Sequence, residues 1–231
     1  MHYLMSDIHG DCWRFNQMLR KIQFSGSDIL YVIGDILDGG NENLRLLNQI
    51  RRDPRMRMIK GNHELFAQMY LEERLDRDQW NLWGGETTRR EINMISEEER
   101  RDLLQYLRGL PLIYRVMWGE RHCILTHSGY HADYPIYNAD GTIDIEKSIQ
   151  TAAAKDEFGY LVSTDLHHIP AKLKFDHYLI VGHYPIGFYN HRKGKIYKNR
   201  RYLDLDCGNG QRKDGGRLGC FRMEDGMEFY V

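Results

Sequence analysis

The chain has 231 residues, of which 42% are hydrophobic and 28% are charged, and its mean hydropathy is -0.62. These values are typical of a globular protein and argue against a membrane protein, and the length suits one domain over residues 1–231. The 32 basic and 33 acidic residues leave a net charge of -1, so the sequence offers no global field to attract nucleic acid.

The first third of the sequence alternates predicted strands and helices. Short apolar runs predict strands at His2–Met5 and Ile29–Ile33, and a third strand from Met56. Apolar residues recur at helical spacing between these runs, at Cys12, Phe15, Leu19 and Ile22 and again at Leu44, Leu47 and Ile50. The order βαβαβ predicts a parallel sheet.

The middle of the sequence is predicted to be mostly helical. Residues 64–75 have a helical pattern, and Ser96 with Glu99 forms a capping box for a helix that runs through Leu107. Between them, residues 80–86 are aromatic and rich in glycine. We expect a loop or a cap over a site there, although packing in the core explains its two tryptophans equally well.

The second half has a different pattern. Residues 112–117 and 121–126 predict a β-hairpin, and residues 144–157 predict a helix, whereas the region up to Phe175 is ambiguous. From His177 onward the chain alternates strands and turns, with final strands at 217–223 and 227–231. A parallel first half and a hairpin-rich second half predict an α/β protein in which two sheets pack together with helices outside.

Two features of the sequence bear on where in the cell the protein is located. Met1 is followed at once by a strand, without a leader pattern, and the apolar runs fall short of the ~20 residues that span a bilayer. The four cysteines, Cys12, Cys123, Cys207 and Cys220, form no C-x-x-C pair, which favours buried reduced thiols over a disulfide or zinc site. We therefore expect a cytoplasmic protein without a membrane partner.

Five of the predicted strands end in Asp, Asn or His beside a glycine. A single Asp at such a position is more often a turn former, but turns alone would not select this set of side chains. Ligands bind at the carboxyl ends of strands in open α/β sheets, so we expect one shared site. Its members would be Asp7, His9, Asp35, Asn62, His127 and His183.

These six side chains offer oxygen and nitrogen ligands without a thiolate, which suits Mn, Fe, Co, Ni or Zn. With one shared carboxylate they could hold two ions ~3.5–4 Å apart, an arrangement that clamps a phosphoryl group and activates water. Two divalent ions, less the charges of Asp7 and Asp35, leave about +2 to attract a phosphate.

The segments around these residues resemble the motif series of a known family. In chain order they read Ser-Asp-Ile-His-Gly, Gly-Asp-Ile-Leu-Asp-Gly-Gly, Gly-Asn-His-Glu, His-Ser-Gly and Gly-His. Together they resemble the calcineurin-like metallophosphoesterases, above all the bacterial and phage serine/threonine phosphatase branch of the phosphoprotein phosphatase family. The resemblance covers residues 7–183 and implies a single-domain β-sandwich of mixed sheets flanked by helices.

The resemblance also implies roles for individual residues. Asp7, His9 and Asp35 would bind the first of two divalent ions, with Mn the expected metal. Asp35, Asn62, His127 and His183 would bind the second, so that Asp35 bridges the two. His63 matches the family's general acid and Asp38 its orienting partner, which agrees with the need of an alkoxide leaving group for a proton. The substrate would be a phosphoprotein or a small phosphoester.

Two departures concern the family's phosphate-binding arginines. Asp38 is followed by Gly39, where the family has Arg, and no arginine lies between His127 and His183. The substrate-binding residues are therefore unknown, and small phosphomonoesters should bind weakly. Five arginines elsewhere in the sequence could reach the site, although a solvated position is the interpretation we favour for each: Arg89, Arg90, Arg192, Arg200 and Arg201.

Other residues have alternative interpretations. His131 could replace His127 as a ligand, but it follows no strand. Asp204 and Asp206 are either turn formers or partners of the ligands. The remaining histidines are interpreted as surface or packing residues: His2, His122, His167, His168, His177 and His191.

The sequence leaves three hypotheses for function. The leading one is a dinuclear-metal phosphomonoesterase of the serine/threonine phosphatase type. The second is hydrolysis of symmetrical dinucleoside tetraphosphates, which related enzymes perform with a similar set of ligands. The third is a binding or scaffold protein with little turnover, which loss of ligand residues would indicate, and none is lost. The neutral net charge does not favour a nuclease.

Overall fold

The computed structural model describes residues 1–190 and 194–231, so His191 and Arg192 lie outside the described residues. The strands in these ranges are β1 (His2–Met5), β2 (Ile29–Ile33), β3 (Met56–Ile59), β4 (Tyr114–Trp118), β5 (Arg121–Leu125), β6 (Tyr178–Val181), β7 (Tyr197–Lys198), β8 (Tyr202–Asp204), β9 (Gly219–Arg222) and β10 (Glu228–Tyr230). The helices are α1 (Cys12–Lys21), α2 (Asn43–Arg52), α3 (Asn62–Leu71), α4 (Arg77–Leu82), α5 (Glu86–Met94), α6 (Glu97–Gly109), α7 (Ile145–Ser163) and α8 (Gly187–Asn190), with 3₁₀ segments at Leu166–His168 and Asn209–Asp214.

The strands form two mixed five-stranded sheets. The first has the order β10-β9-β1-β2-β3, and the second has the order β4-β5-β6-β8-β7. The neighbours β1, β2 and β3 are parallel, as the βαβαβ pattern predicts, and β5, β6 and β8 are parallel in the second sheet. The predicted α/β class, with mixed sheets and flanking helices, is confirmed.

The two sheets pack face to face because alternate residues of each strand are apolar. Leu4, Ile33 and Phe221 from the first sheet share one buried cluster with Leu125 and Ile180 from the second. The opposite face of the first sheet packs against α1 and α2, where further apolar side chains are buried. The carboxyl ends of the parallel strands are thereby held in fixed positions at one edge of both sheets.

The structure corrects several predicted elements. The two sheets do not correspond to the two halves of the chain, because β9 and β10 join the first sheet beside β1. The segment 80–86 is not simply a loop, since α4 begins after an Asp76 cap and includes Trp80, and α5 was not predicted. The helix predicted at 64–75 is α3, which ends at Leu71. The helix predicted at 144–157 extends to Ser163 as α7, with non-helical backbone at Asp156.

Other predictions agree with the structure. Ser96 and Glu99 form the capping box of α6, and β4 and β5 form the antiparallel hairpin. All four cysteines are free and buried. Among the described residues, no helix is both long and apolar enough to cross a membrane.

Candidate metal centre

The predicted site residues converge at one edge of the two sheets. Loops after β1 and β2 lie side by side, since the amide of Asp7 donates to the carbonyl of Gly34 and that of His9 donates to the carbonyl of Asp35. Asn62 and His63 open α3 after β3, whereas His127 and His183 follow β5 and β6 of the other sheet. The loops from both sheets border a cleft of about 310 Å³ that includes His9, Asp35, Asn62, His63 and His183 in its wall.

The backbone at this edge is unusual. Asp7, His9, Asp35, Asp38 and His183 all have positive φ, between 51° and 82°, and the described chain has only two other such residues that are not glycine. Left-handed backbone is costly for a residue with a Cβ, and strain of this kind is concentrated at functional sites. The turns therefore place side chains at positions that an ordinary strand-to-helix connection would not reach.

Glu64 holds the turn after β2 in place. This fully buried carboxylate accepts hydrogen bonds from the amides of Asp35 at 2.8 Å, Gly61 at 2.9 Å and Ile36 at 2.9 Å. With a fourth bond from the Leu37 amide at 3.2 Å, these charge-assisted bonds pair the amides of the turn after β2 and of the residue before α3. The Gly-Asn-His-Glu segment thus contributes a buried carboxylate that sequence analysis had not singled out.

Asp35 lies at the centre of two groups of potential ligands. One nitrogen or oxygen from each of Asp35, His127 and His183 lies within 4.8 Å of the others, and the same holds for His9, Asp35 and His63. Asp35 is the member common to both groups. This arrangement matches a carboxylate between two cations, although the group with His9 and Asp35 contains His63 where the sequence had suggested Asp7.

The contacts of His127 and His183 are those of cation ligands. His127 Nδ1 lies 2.8 Å from the carbonyl of Ile33, and its Nε2 lies 3.0 Å from Asn62 Oδ1 and 3.2 Å from Asp35 Oδ2. Burial lowers the pKa of His127, but the neighbouring Asp35 outweighs burial and raises it. His183 has Asn62 Oδ1 at 2.9 Å from Nδ1 and the carbonyl of Val162 at 3.2 Å from Nε2, yet a neutral imidazole has one N–H. A cation between His183 and Asn62 would resolve this conflict, and a backbone carbonyl on the other nitrogen, as in both histidines, is the usual support of a metal-binding histidine. The residues present therefore fit a divalent ion.

The electrostatics at the site also favour a cation. Burial raises the pKa of Asp7, and the nearby carboxylates of Asp206 and Asp35 raise it further. Burial raises the pKa of Asp206 to about 7, to which Asp35 also contributes. Burial acts in the same direction on Asp35, but the imidazoles of His127 and His63 outweigh it and hold its pKa well below the usual value. Three buried carboxylates in one place are a concentration of negative charge that divalent ions would neutralise.

The structure does not bring Asp7 into either group of potential ligands. Its carboxylate accepts hydrogen bonds from the amide of His183 at 3.2 Å and from the hydroxyl of Ser6. Asp206 lies in the cleft wall and accepts a hydrogen bond from the Gly208 amide at 2.8 Å, while Asp204 accepts one from the Asp206 amide at 3.0 Å. Both late aspartates thus form turns, and Asp206 in addition borders the cleft.

His63 and Asp38 form a hydrogen-bonded pair beside these groups. His63 Nδ1 lies 2.7 Å from Asp38 Oδ2, and its Nε2 lies 3.8 Å from Asp35 Oδ2. Burial would lower the pKa of His63, but Asp35 and Asp38 outweigh it and raise the pKa to about 9. The indole N–H of Trp80 donates to the same Asp38 oxygen at 2.9 Å, and Trp80 is fully buried. Packing in the core is thus the interpretation that holds for Trp80, and its indole in addition fixes Asp38.

The family model for calcineurin-like phosphoesterases matches residues 3–209, which is most of the chain and includes every residue of the centre. The chain belongs to the calcineurin-like phosphoesterase family. Among curated relatives, the serine/threonine-protein phosphatase 2 of Escherichia coli (strain K12) is 32% identical over 58% of this chain and 58% of its own length. A symmetrical bis(5'-nucleosyl)-tetraphosphatase of Acidovorax sp. (strain JS42) is 29% identical over 69% of this chain and 54% of its own length. The chain thus spans little more than half the length of each.

Solved structures support the same fold. A cold-active protein-tyrosine phosphatase from Shewanella sp. superposes with a TM-score of 0.59 at 16% identity, covering 100% of this chain and 80% of that one. The predicted metallophosphoesterase-type sandwich is thereby confirmed for this calcineurin-like phosphoesterase. Divalent ions are the cofactors that membership of the family implies.

None of the proposed replacements for the family's arginines borders the cleft among the described residues. Arg89 donates to Asn81, Arg90 pairs with Glu86, and Arg201 donates to the carbonyls of Ile169 and Pro170. Arg200 is exposed, and Arg192 lies outside the described residues. Gly39 has a φ of 82°, so an arginine there would fit the available space but would strain the backbone. No lysine or arginine is found in the described wall of the cleft.

The 3₁₀ segment Asn209–Asp214 closes one side of the cleft and was missed by sequence analysis. Asn209 donates to the carbonyl of Ile8 at 2.7 Å, and Arg14 donates to Asn209 Oδ1 at 2.8 Å. A Cβ at Gly210 would lie 2.9 Å from the ring of His9, so the backbone approaches that ring closely. The signal in the sequence was the Gly-Asn-Gly run after a strand, which is typical of a turn but does not reveal its neighbour.

The histidines set aside in the sequence, His191 excepted because it is not among the described residues, lie outside both groups of potential ligands. His131 accepts a hydrogen bond from the Asp133 amide and packs against Tyr134. His2 is exposed and contacts Glu224, and His122 packs edge-on against His177. His167 and His168 lie near Asp165. They are linked to His183 only indirectly, because Tyr189 packs against His167 and Tyr184, and Tyr184 packs against His183.

Proposed function

We propose that this chain is a metal-dependent hydrolase of phosphomonoesters, of the serine/threonine phosphatase type. The observation that carries the proposal is the group of potential ligands Asp35, His127 and His183, with the pair His63–Asp38 directly beside it. The relative in Escherichia coli is named as a serine/threonine-protein phosphatase, which supports this class of substrate.

The ligands are assigned as the motifs indicate. Asp7, His9 and Asp35 would hold one divalent ion, and Asp35, Asn62, His127 and His183 would hold the other. When bound, such ions polarise a phosphoryl oxygen and lower the pKa of water, which makes a nucleophile available at neutral pH. Backbone carbonyls of Ile33 and Val162 orient His127 and His183 for this role.

His63 would protonate the leaving oxygen. Its Nδ1 is held by Asp38, so Nε2 is the nitrogen left for the substrate, and the side chain is 16% exposed towards the cleft. An alkoxide is a poor leaving group, and a positioned acid contributes most when that bond breaks. Trp80 and Thr88 hold Asp38 from behind, the first at its carboxylate and the second at its amide. They act as positioning residues through Asp38.

Hydrolysis of symmetrical dinucleoside tetraphosphates is the second candidate. The relative in Acidovorax is named for that activity and aligns with more of this chain than the Escherichia coli relative does. A pocket of about 370 Å³ that adjoins the cleft at Pro185 and Gln211 would accommodate a group attached to the phosphate. Both candidates use the same acid and the same ligands.

The proposal is tested by metal analysis followed by turnover of p-nitrophenyl phosphate, a phosphoserine peptide and diadenosine tetraphosphate. We expect about two equivalents of divalent metal, with Mn the expected metal, and turnover that a chelator abolishes and added metal restores. Metal-loaded protein that hydrolyses none of the three would refute the proposal and favour a scaffold role. The pattern among the three substrates distinguishes the two candidates.

A further inference from the structure

A second pocket opens beside the metal centre. It has a volume of about 370 Å³, and its wall contains Pro185, Phe188, Cys207, Gln211 and Asp214 together with glycine backbone. Pro185 and Gln211 also belong to the wall of the cleft, so the two spaces adjoin. The volume lies within the range of pockets that bind small molecules. A group attached to a phosphate in the cleft would therefore extend into this pocket.

We propose that this pocket binds the aromatic base of a nucleotide whose phosphate lies at the metal centre. The inference rests on the proposed function, since it concerns the leaving group of the same reaction. It assigns Phe188 as the stacking surface and Gln211 as the group that contacts the edge of the base. It thereby predicts that a nucleotide binds more tightly than a phosphomonoester of the same kind without a base, which would favour the second candidate function.

Phe188 has the exposure and the support that a stacking surface requires. Its side chain is among the most exposed large apolar ones, at 65% of its surface. The next residue is firmly held, because the ring of Tyr189 stacks on His167 at 4.0 Å and its hydroxyl donates to Asp165 at 2.6 Å. The Phe188 amide also donates to the carbonyl of Pro185 at 3.0 Å. A solvent-exposed ring on an anchored turn suits stacking with a planar ligand, because the turn loses little conformational freedom on binding.

The rest of the wall is flat and sparsely polar. Gly208 and Gly216 approach so closely that a Cβ at Gly216 would lie 1.7 Å from the Gly208 carbonyl, so no side chain projects there. Gln211 lies in the wall and makes no side-chain hydrogen bond to any other described residue, and its amide carries one donor group and one acceptor. An amide that both donates and accepts matches the edge of a base, which presents the same combination.

The cleft itself gives a further reason to expect that a part of the substrate other than its phosphate contributes binding energy. Its described wall contains no lysine or arginine, so none of the described wall residues offers a guanidinium to the phosphate. Binding energy from a remote part of a substrate compensates for weak contacts at the reacting group. The adjoining pocket is the place in the described structure where such energy is available to a substrate already bound in the cleft.

The test compares ligands that differ by the base alone. Calorimetry measures binding of adenosine 5'-monophosphate and of ribose 5-phosphate to the metal-loaded protein, and kinetics measures KM and kcat for both. Base stacking predicts that the nucleotide binds about 5- to 150-fold more tightly. Phe188→Ala should remove most of this difference, mainly through KM, while leaving ribose 5-phosphate unaffected. Gln211→Leu should weaken the nucleotide as well.

Tyr137→Ala is the matched control, because Tyr137 is 59% exposed and lies outside the pocket wall. It should leave the preference for the nucleotide unchanged. Equal binding of the two ligands, or a preference that survives Phe188→Ala, would overturn the inference. So would selective binding of a phosphoserine peptide that depends on Phe188. Turnover of p-nitrophenyl phosphate tests the proposed function separately, and calorimetry still decides the binding question if no phosphate is hydrolysed.

Discussion

Replacing His63 by glutamine tests whether His63 acts as the general acid or as a metal ligand. The nitrogens of His63 have different neighbours, with Asp38 Oδ2 2.7 Å from Nδ1 and Asp35 Oδ2 3.8 Å from Nε2. The second nitrogen also belongs to a group of potential ligands with His9 and Asp35. An acid and a ligand would use this same nitrogen, so the geometry alone leaves two roles that kinetics can separate.

If His63 is the acid, His63→Gln should leave the metal content unchanged and lower turnover of an alkyl phosphate by about 10²–10⁴. The loss should be smaller for p-nitrophenyl phosphate, whose leaving group needs no proton. His131→Gln provides the control, since His131 contacts the Asp133 amide and Tyr134 and lies outside both groups. Loss of one metal equivalent would make His63 a ligand, and equal losses on both substrates would show that it positions the phosphate. Either result would refute the assignment as acid.

Two further substitutions test the neighbours of His63. Asp35→Asn should lower metal content and turnover together, and more severely than Asn62→Ala, because Asp35 belongs to both groups of potential ligands. If metal analysis showed that the variant kept two equivalents and ordinary turnover, the bridging role would be contradicted. Trp80→Phe removes the indole N–H bound to Asp38 and should cost about 1.5–3 kcal/mol of unfolding free energy, the usual worth of a hydrogen bond to a charged group. Trp80→Phe should also lower turnover of alkyl phosphates more than that of p-nitrophenyl phosphate. The control Trp118→Phe, on β4, should affect both substrates alike. Denaturant unfolding and kinetics of the two variants check these expectations.

The strand ends were the part of the site that the sequence could predict. A short apolar run that stops at a glycine marks the end of a buried strand, and the next side chain must then lie at the edge of the sheet. This reasoning identified Asp35, His127 and His183, which the structure brings within 4.8 Å of one another. It worked because each position depends on the strand directly before it. It did not require knowledge of how the two sheets pack.

Residues that reach the site from distant elements could not be found in this way. Trp80 reaches Asp38 from a short helix that begins at an aspartate cap, and its segment had the composition of a loop. The segment around Gly210 lies against His9 because β9 returns to pair with β1, a long-range contact. Propensity and periodicity describe local structure, so they carry no information on which loop covers which side chain.

The left-handed turns lead to a last prediction about stability. Left-handed backbone occurs at five site residues that carry a Cβ and is unfavourable at each: Asp7, His9, Asp35, Asp38 and His183. The hydrogen bonds of Glu64 offset part of this cost at Asp35, but the carboxylates of Asp7 and Asp206 remain buried beside one another. Ions that bind the folded chain alone would stabilise it by about 2.7 kcal/mol at a free concentration of 100 Kd.

We therefore expect a chelator to lower the midpoint of thermal unfolding and added Mn²⁺ to restore it. Asp35→Asn provides the control, because without the shared carboxylate its midpoint should depend much less on the metal. A chelator effect of the same size in that variant would show that the ions act elsewhere on the chain. A metal-free protein as stable as the loaded one would show that the turns are held by protein contacts alone, and the argument from strain to metal binding would fail.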